Sequence, residues 1–195
     1  MRIIAGMNSL PACALVLMAM TVSTLAADPP AEKKAPAAAE FLVGEMHIQN
    51  LPEMNYIYGS AETTFDKLGE VVSKYIPMLT KGLEEGQLRS GGCAMFIYKG
   101  VTEDMSKPFT LEIGWCVPAE AKAFGELKAR KVKAAKCATM LYTGSVANIS
   151  KVYEKLMPAV KAAGLTPAGD FREMYLYWEN PESANNVIQV VVEVK

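Results

Sequence analysis

The order of elements in this chain is repeated, and the repeat constrains the fold more than any other feature. From residue 41 onward the sequence predicts strand, helix, strand, strand, and then the same order again. Each predicted helix carries a late proline, Pro77 in the first and Pro158 in the second. Two such units pairing about a pseudo-twofold axis predict an α+β fold with one antiparallel sheet, both helices on one side and a central ligand cleft. The predicted helices cover 65–79 and 146–160, and the predicted strands cover 41–59, 93–98, 109–117, 127–143, 171–178 and 187–194.

The first forty residues differ from the rest of the chain. Arg2 is followed by no charged residue before Asp28, and the apolar run at 13–20 is too short to span a bilayer comfortably. Small residues follow at Ala26 and Ala27, as expected before a signal-peptidase cleavage site. We interpret 1–27 as a signal peptide, 28–40 as a flexible Pro/Ala-rich linker and 41–195 as the folded domain. The weaker alternatives are an uncleaved membrane anchor and a lipoprotein.

The composition argues against several classes of function. The formal net charge of −1 lacks the basic excess of a nucleic-acid-binding protein. The chain has a single histidine, His47, which leaves little for a histidine-rich metal site or a serine–histidine triad. We therefore expect no metal, no cofactor, no nucleic-acid partner and no stable membrane insertion after cleavage. The oligomeric state stays open.

The predicted strand at 171–178 contains the strongest candidate for a binding group. Side chains alternate faces along a strand, so Glu173 shares a face with Phe171, Tyr175 and Tyr177. An ionised carboxylate in apolar surroundings becomes protonated, acquires a partner or awaits a cationic ligand. Two alternatives remain: an exposed edge strand, or a salt bridge to one of the lysines Lys128, Lys133 and Lys136.

The repeat places aromatic residues on both walls of the predicted cleft. The strand at 93–98 aligns with the strand of Glu173 and contributes Phe96 and Tyr98, while Ala94 occupies the position equivalent to Glu173. A single carboxylate in a symmetric fold indicates an asymmetric ligand. Two further candidates are Tyr142, near the start of the second helix, and Glu112, as a second acidic wall. The alternative for Tyr142 is a packing role, and the alternative for Glu112 is a solvated position at the rim of the sheet.

Three segments together resemble a known family. The ordered set at 109–118, 134–144 and 171–176 is similar to the GyrI-like small-molecule-binding domains, which also form the effector-binding parts of AraC- and MerR-type regulators. The resemblance implies the duplicated fold and a cleft for hydrophobic, often cationic aromatic compounds. It also implies that Glu173 is the buried acidic ligand-binding group. Without a helix-turn-helix segment before the domain, a one-component transcription factor is not expected. The export signal separates the chain from cytoplasmic DNA gyrase.

The function predicted from these features is that of an exported, periplasmic or secreted protein that binds small hydrophobic, cationic aromatic compounds. A first alternative follows from the resemblance, because some family members are hydrolases that open cyclopropane rings with this glutamate assisting water. A second alternative is a tetrapyrrole binder of the similarly built SOUL type. His47 lies outside the cleft strands, which counts against axial ligation.

The cysteines give a conditional prediction about register. If Tyr98 pairs with Leu111 in the hairpin of 93–98 and 109–117, then Cys93 lies directly opposite Cys116. Three buried free thiols are the alternative to a bond. If a disulfide forms, we expect Cys93–Cys116 with Cys137 free, which non-reducing peptide mapping would show.

Export predicts a processed N-terminus. Protein recovered from the cell envelope should begin near Ala27 or Asp28, because signal peptidase cleaves after small residues. N-terminal sequencing or intact mass measurement checks this, and an intact Met1 on cytoplasmic protein would contradict it.

Overall fold

The chain is described by a computed structural model at residues 41–88, 93–102 and 104–195. The predicted signal peptide and linker, 1–40, lie outside the described residues. The elements are β1 (Leu42–Val43), β2 (His47–Leu51), β3 (Met54–Thr63), α1 (Leu68–Glu84), β4 (Ala94–Lys99), β5 (Phe109–Val117), β6 (Lys128–Val132), β7 (Ala135–Thr143), α2 (Ser150–Ala162), β8 (Pro167–Tyr177) and β9 (Val187–Val194).

The strands form one antiparallel sheet in the order β1-β7-β9-β8-β4-β5-β3-β6, and β2 also pairs with β7. The first half is β3-α1-β4-β5 and the second is β7-α2-β8-β9. They meet where β4 pairs with β8. The predicted doubled unit and α+β fold are therefore confirmed.

The extended segments before each unit behave differently from the prediction. Residues 41–59 hold three strands rather than one, and β1 and β2 pair with β7 of the other half. Likewise, β6 pairs with β3 and only β7 belongs to the second unit. The strands that precede the first unit therefore extend the sheet beside the second unit. The strand that precedes the second unit extends the sheet beside the first. A repeat pattern alone does not reveal such an exchange.

Both helices cover the same face of the sheet. Helix α1 buries Val71, Tyr75 and Leu79, and α2 buries Val152 and Leu156 together with Val160. Strand β3 continues through Thr63, so neither Ser60 nor Thr63 caps α1. Gly164 has φ +70° just after α2, the left-handed conformation with which glycine commonly ends a helix. Within the described ranges, neither helix is both long and apolar enough to cross a bilayer.

The hairpin register follows the sequence prediction. Tyr98 pairs with Leu111, and the Cys116 amide donates a hydrogen bond of 3.1 Å to the Cys93 carbonyl. Cys93 and Cys116 therefore lie directly opposite one another. Their sulfur atoms are 3.8 Å apart, and both thiols are free, as is Cys137.

The packing of α1 on β3 depends on a glycine. A Cβ atom added at Gly59 would overlap the ring of Tyr75, whose hydroxyl donates to the Ser60 carbonyl at 2.9 Å. We expect Gly59→Ala to lower the free energy of unfolding by about 1–3 kcal/mol, the range for overpacking a core. Denaturant unfolding measures this.

The matched control is Gly69→Ala in α1, where an added Cβ meets nothing within 4 Å. Alanine suits a helix better than glycine, by about 1 kcal/mol at most, so this variant should be neutral or more stable. Equal effects of the two substitutions would contradict the packing described here.

Candidate functional site

Glu173 lies at the junction of the two halves of the sheet. In β8 it pairs with Phe96 of β4 on one side and with Val190 of β9 on the other. Its side chain points to the helix-covered face and is 4% exposed. The cross-strand neighbour is thus Phe96, whereas Ala94 pairs with Tyr175. Only one side of the junction carries a carboxylate, as the repeat indicated.

Three tyrosine hydroxyls donate hydrogen bonds to this carboxylate. Tyr98 and Tyr175 donate to Oε2 at 2.9 and 3.0 Å, and Tyr153 donates to Oε1 at 3.0 Å. These residues come from β4, β8 and α2, so both halves of the chain hold the group. A carboxylate that accepts several hydrogen bonds is fixed in orientation and stabilised in its charged form.

The electrostatics of the cluster follow from its burial. Desolvation raises the pKa of Glu173, against the hydrogen bonds from Tyr98, Tyr175 and Tyr153, which lower it. Burial and the charge of Glu173 raise the pKa of each tyrosine well above its usual value, so the hydroxyls stay protonated as donors. The salt bridges among the described residues do not include Glu173, so the alternative of a lysine partner is not realised.

Aromatic rings surround the carboxylate and remain partly exposed. The rings of Phe96 and Tyr175 lie 4.8 Å apart, and those of Tyr153 and Phe171 lie 6.2 Å apart. All four side chains are half-buried. These side chains therefore keep some exposure to solvent, while Glu173 itself is almost fully buried.

A bulge near the end of β8 changes which aromatics join the cluster. The pairing with β9 shifts between Tyr175 and Tyr177, which breaks the simple alternation used in the sequence prediction. Tyr177 is 39% exposed and donates to Glu179 at 2.9 Å, away from Glu173. Trp178 takes the inner position instead, with its ring 5.5 Å from that of Tyr175 in an edge-on arrangement.

Glu112 lies on the opposite face of the sheet and so does not join the cluster. Its carboxylate is 3% exposed and accepts hydrogen bonds from Arg130 at 2.6 and 3.1 Å and from Lys99 at 3.3 Å. The prediction that Glu112 forms a second acidic wall of the cleft is therefore wrong. Glu112 forms a buried ion pair on the other face of the sheet instead. A strand alternates faces, and Glu112 is cross-strand to Ile97 rather than to Phe96.

Tyr142 is fully buried in the core between α2 and the sheet. Its hydroxyl donates to the Ser145 carbonyl at 2.5 Å, which fixes the turn before α2. The packing alternative therefore describes this residue, and the structure does not bring it together with Glu173.

Sequence reasoning missed Tyr153 and Trp178. Tyr153 lies four residues after Ile149 and three before Leu156, on the edge of the apolar stripe of α2. That spacing was a usable signal for a side chain facing the sheet. Trp178 had none, because a bulge cannot be located from alternation.

Other features of the described residues do not add to this site. A pocket of about 450 Å³ lies between β3 and α1, lined among others by Thr63, Lys67 and Lys74, and does not include Glu173. His47 is exposed on β2. In the described part of the chain, no group of three or more His, Cys, Asp or Glu side chains could hold a metal ion.

The comparison with protein families is consistent with this architecture. The model of the GyrI-like small molecule binding domain matches residues 44–195. The match covers most of the chain, so the chain belongs to this family. No match was found among functionally curated proteins.

Solved structures show the same fold. The C-terminal domain of EcmrR is 18% identical with a TM-score of 0.61, over 78% of this chain and 98% of that one. In the EcmrR–DNA complex, the chain spans only 57% of EcmrR, with 77% of this chain covered, a TM-score of 0.61 and 18% identity. SAV2435 bound to tetraphenylphosphonium is 12% identical with a TM-score of 0.54, over 77% of this chain and 94% of that one.

The buried carboxylate predicts a pH dependence of stability. The folded-state pKa of Glu173 exceeds its ordinary value of 4.5, so the native state holds this proton more tightly than the unfolded chain. The resulting stabilisation is complete below the unfolded pKa and is lost as the pH rises through the folded pKa. Glu173→Gln has no carboxyl proton at this position and so does not lose this stabilisation. As the pH rises from the unfolded-state pKa to the folded-state pKa, the free energy of unfolding of Glu173→Gln relative to wild type should therefore increase, by at most about 1.4 kcal/mol per pH unit.

Urea unfolding at several pH values measures the difference. The matched control is Glu182→Gln, which removes an exposed carboxylate outside the Glu173 cluster. A Glu173→Gln difference that stays flat or falls with pH would contradict a raised pKa.

Proposed function

We propose that this protein binds small hydrophobic, cationic aromatic molecules at the Glu173 cluster. The observation that carries the proposal is a buried carboxylate that accepts three tyrosine hydrogen bonds, forms no salt bridge in the described residues and is surrounded by half-buried rings. Such a group has a negative charge that hydroxyl donors only partly offset. A cationic ligand supplies the missing countercharge.

The same geometry favours a lipophilic cation over a hydrated one. Bringing a compact ammonium ion to a buried carboxylate requires removing tightly held water, which offsets much of the Coulomb attraction. A cation whose charge is screened by aromatic groups loses less hydration and packs against the rings of Phe96, Tyr153 and Tyr175. Each favourable ring contact contributes about 0.5–2 kcal/mol.

Family membership supports this proposal. The family is one of small-molecule-binding domains, and SAV2435, which shares the fold, was solved with the aromatic cation tetraphenylphosphonium. In our proposal the ligand lies over the junction of β4 and β8, where both halves of the sheet contribute rings. A compound that bound there would contact residues from three elements at once.

We also propose that the domain acts after export, in the periplasm or outside the cell. The support is the sequence alone: an uncharged segment from Ile3 to Ala27 with small residues at its end. An exported binder would meet hydrophobic cations before they enter the cytoplasm.

A second candidate function is hydrolysis of strained electrophiles, and the raised pKa of Glu173 favours it. A carboxylate with a raised pKa is better suited to act as a general base near neutral pH. Glu173 would accept a proton from water as the water oxygen bonds to a ring carbon and the strained C–C bond breaks. The electron pair of that bond would pass into the conjugated acceptor of the electrophile. Incubation with a cyclopropane electrophile, followed by mass spectrometry for addition of one water, tests this, with Glu173→Gln as the inactive control.

Binding of tetraphenylphosphonium tests the main proposal. Glu173→Gln keeps the side-chain shape and removes the charge, so affinity should fall at least about tenfold, or ~1.4 kcal/mol. Isothermal titration calorimetry at pH 7 and above measures it. Affinity for the neutral triphenylphosphine oxide should change little.

Glu182→Gln is the matched control, because it removes an exposed carboxylate and leaves the cluster intact. It should bind both compounds as wild type does. Equal losses for both ligands in Glu173→Gln, or no loss for either, would show that this carboxylate does not act on the ligand's charge.

A further inference from the structure

Cys93 and Cys116 form a pair of buried thiols on the face of the sheet opposite the Glu173 cluster. Cys93 immediately precedes β4, and the register of the β4–β5 hairpin places it directly opposite Cys116. Their Sγ atoms are 3.8 Å apart. The two residues are 7% and 8% exposed, and both thiols are free. The ligand proposal above uses neither of them.

The backbone around this pair has the spacing that a disulfide requires. The Cys116 amide donates to the Cys93 carbonyl at 3.1 Å, the mark of a hydrogen-bonded pair in an antiparallel ladder. Such pairs hold their Cα atoms about 5.5 Å apart, which lies within the range of about 4.4–6.8 Å found across disulfides. A bond would bring the sulfur atoms from 3.8 Å to about 2.05 Å apart. Since the strands already have the required spacing, this closure falls to the two side chains.

The two thiols differ in their readiness to ionise. The hydrogen bond with Cys93 lowers the pKa of the Cys116 thiol, against its desolvation, and the charge of Arg172 lowers it further. The same hydrogen bond, together with burial, raises the pKa of Cys93. The thiolate is the nucleophilic form of cysteine. Cys116 is therefore the attacking thiol, and Cys93 is the resolving thiol beside it.

Arg172 is a buried cation on this face that the ligand proposal leaves without a role. It is 2% exposed, and its Nη2 pairs with Glu193. Its Nε and Nη1 have no hydrogen-bond partner among the described residues. The positive charge of this guanidinium favours the thiolate of Cys116 over the thiol.

We propose that small hydroperoxides oxidise Cys93 and Cys116 to a reversible disulfide, which makes this face of the sheet a peroxide-responsive site. Burial selects the oxidant, because side chains of residues less than a tenth exposed admit hydrogen peroxide more readily than a bulky disulfide. Cys137 takes no part in the reaction. Its strand, β7, is separated from β4 by β9 and β8, and burial raises the pKa of its thiol.

The reaction proceeds in two steps. The Cys116 thiolate attacks one oxygen of hydrogen peroxide, the O–O bond breaks, and the sulfur is oxidised to a sulfenic acid while the other oxygen leaves as hydroxide and takes up a proton. The Cys93 sulfur then attacks the sulfenic sulfur, the S–O bond breaks, and the proton of Cys93 leaves with the hydroxide as water. In total, two thiols and one peroxide give one disulfide and two molecules of water. A thiol reductant reverses the bond by exchange.

Peptide mapping of the folded, full-length protein tests the proposal. Reduced protein is treated with hydrogen peroxide and then with catalase, free thiols are alkylated in denaturant, and the non-reduced digest is analysed by mass spectrometry. Wild type should yield a peptide pair bridged through Cys93 and Cys116, which dithiothreitol separates, and Cys137 should carry the alkyl group. In urea the bridge should form at least about tenfold more slowly, because unfolding removes the proximity of the two thiols.

Serine variants separate the roles of the two thiols. Cys93→Ser keeps a hydrogen-bond donor beside Cys116 and removes the resolving thiol, so peroxide should leave a sulfenic acid at Cys116 that dimedone labels. In Cys116→Ser, dimedone should label Cys93 at least about tenfold more slowly, because the raised pKa of Cys93 leaves less thiolate. Cys137→Ser is the matched control and should form the bridge at the wild-type rate. Circular dichroism confirms that each variant is folded.

The wild-type measurement needs no variant and decides the proposal by itself. The absence of a bridged pair after peroxide treatment of the folded protein would overturn it, as would a main product bridged through Cys137. A bridge that forms as fast in urea as in the folded protein would show that the fold does not position the pair. Equal dimedone labelling of Cys93 and Cys116 in the two serine variants would overturn the roles assigned to them.

Discussion

The desolvated carboxylate of Glu173 is the interaction on which the arrangement of the two halves depends. Its hydrogen bonds reach β4 of the first half and α2 and β8 of the second, so the junction is held by polar contacts within an apolar layer. Removing one partner of a buried polar cluster leaves the other groups unsatisfied, which is more costly than the net value of the bonds. The tyrosines therefore fix the carboxylate, and the carboxylate fixes the tyrosines.

Because side chains alternate faces along each strand, the two faces of the sheet carry different functional groups. In β8, Glu173 faces the helices while Arg172 and Met174 face the other way. One face consequently holds tyrosine hydroxyls around a carboxylate, and the other holds an Arg130–Glu112 ion pair and the buried thiols of Cys93 and Cys116.

The sequence allowed the fold and the central residue to be predicted, but not the full composition of the site. The doubled order of elements and the hairpin register both rest on local or periodic signals, and the structure shows both. The exchange of edge strands depends on long-range pairing, and the bulge that replaces Tyr177 by Trp178 depends on backbone detail. Neither leaves a periodic trace, so neither could be predicted from spacing.

The most direct test of the account is the pKa of Glu173 itself, measured with and without a bound aromatic cation. Carboxyl-selective ¹³C NMR, assigned with Glu173→Gln, follows the group through a pH titration. A raised pKa in the free protein should fall by at least about one unit with tetraphenylphosphonium, since one unit equals about 1.4 kcal/mol of preference for the charged form. A neutral ligand should leave it unchanged or raise it. A pKa that does not respond to the cation would contradict the account.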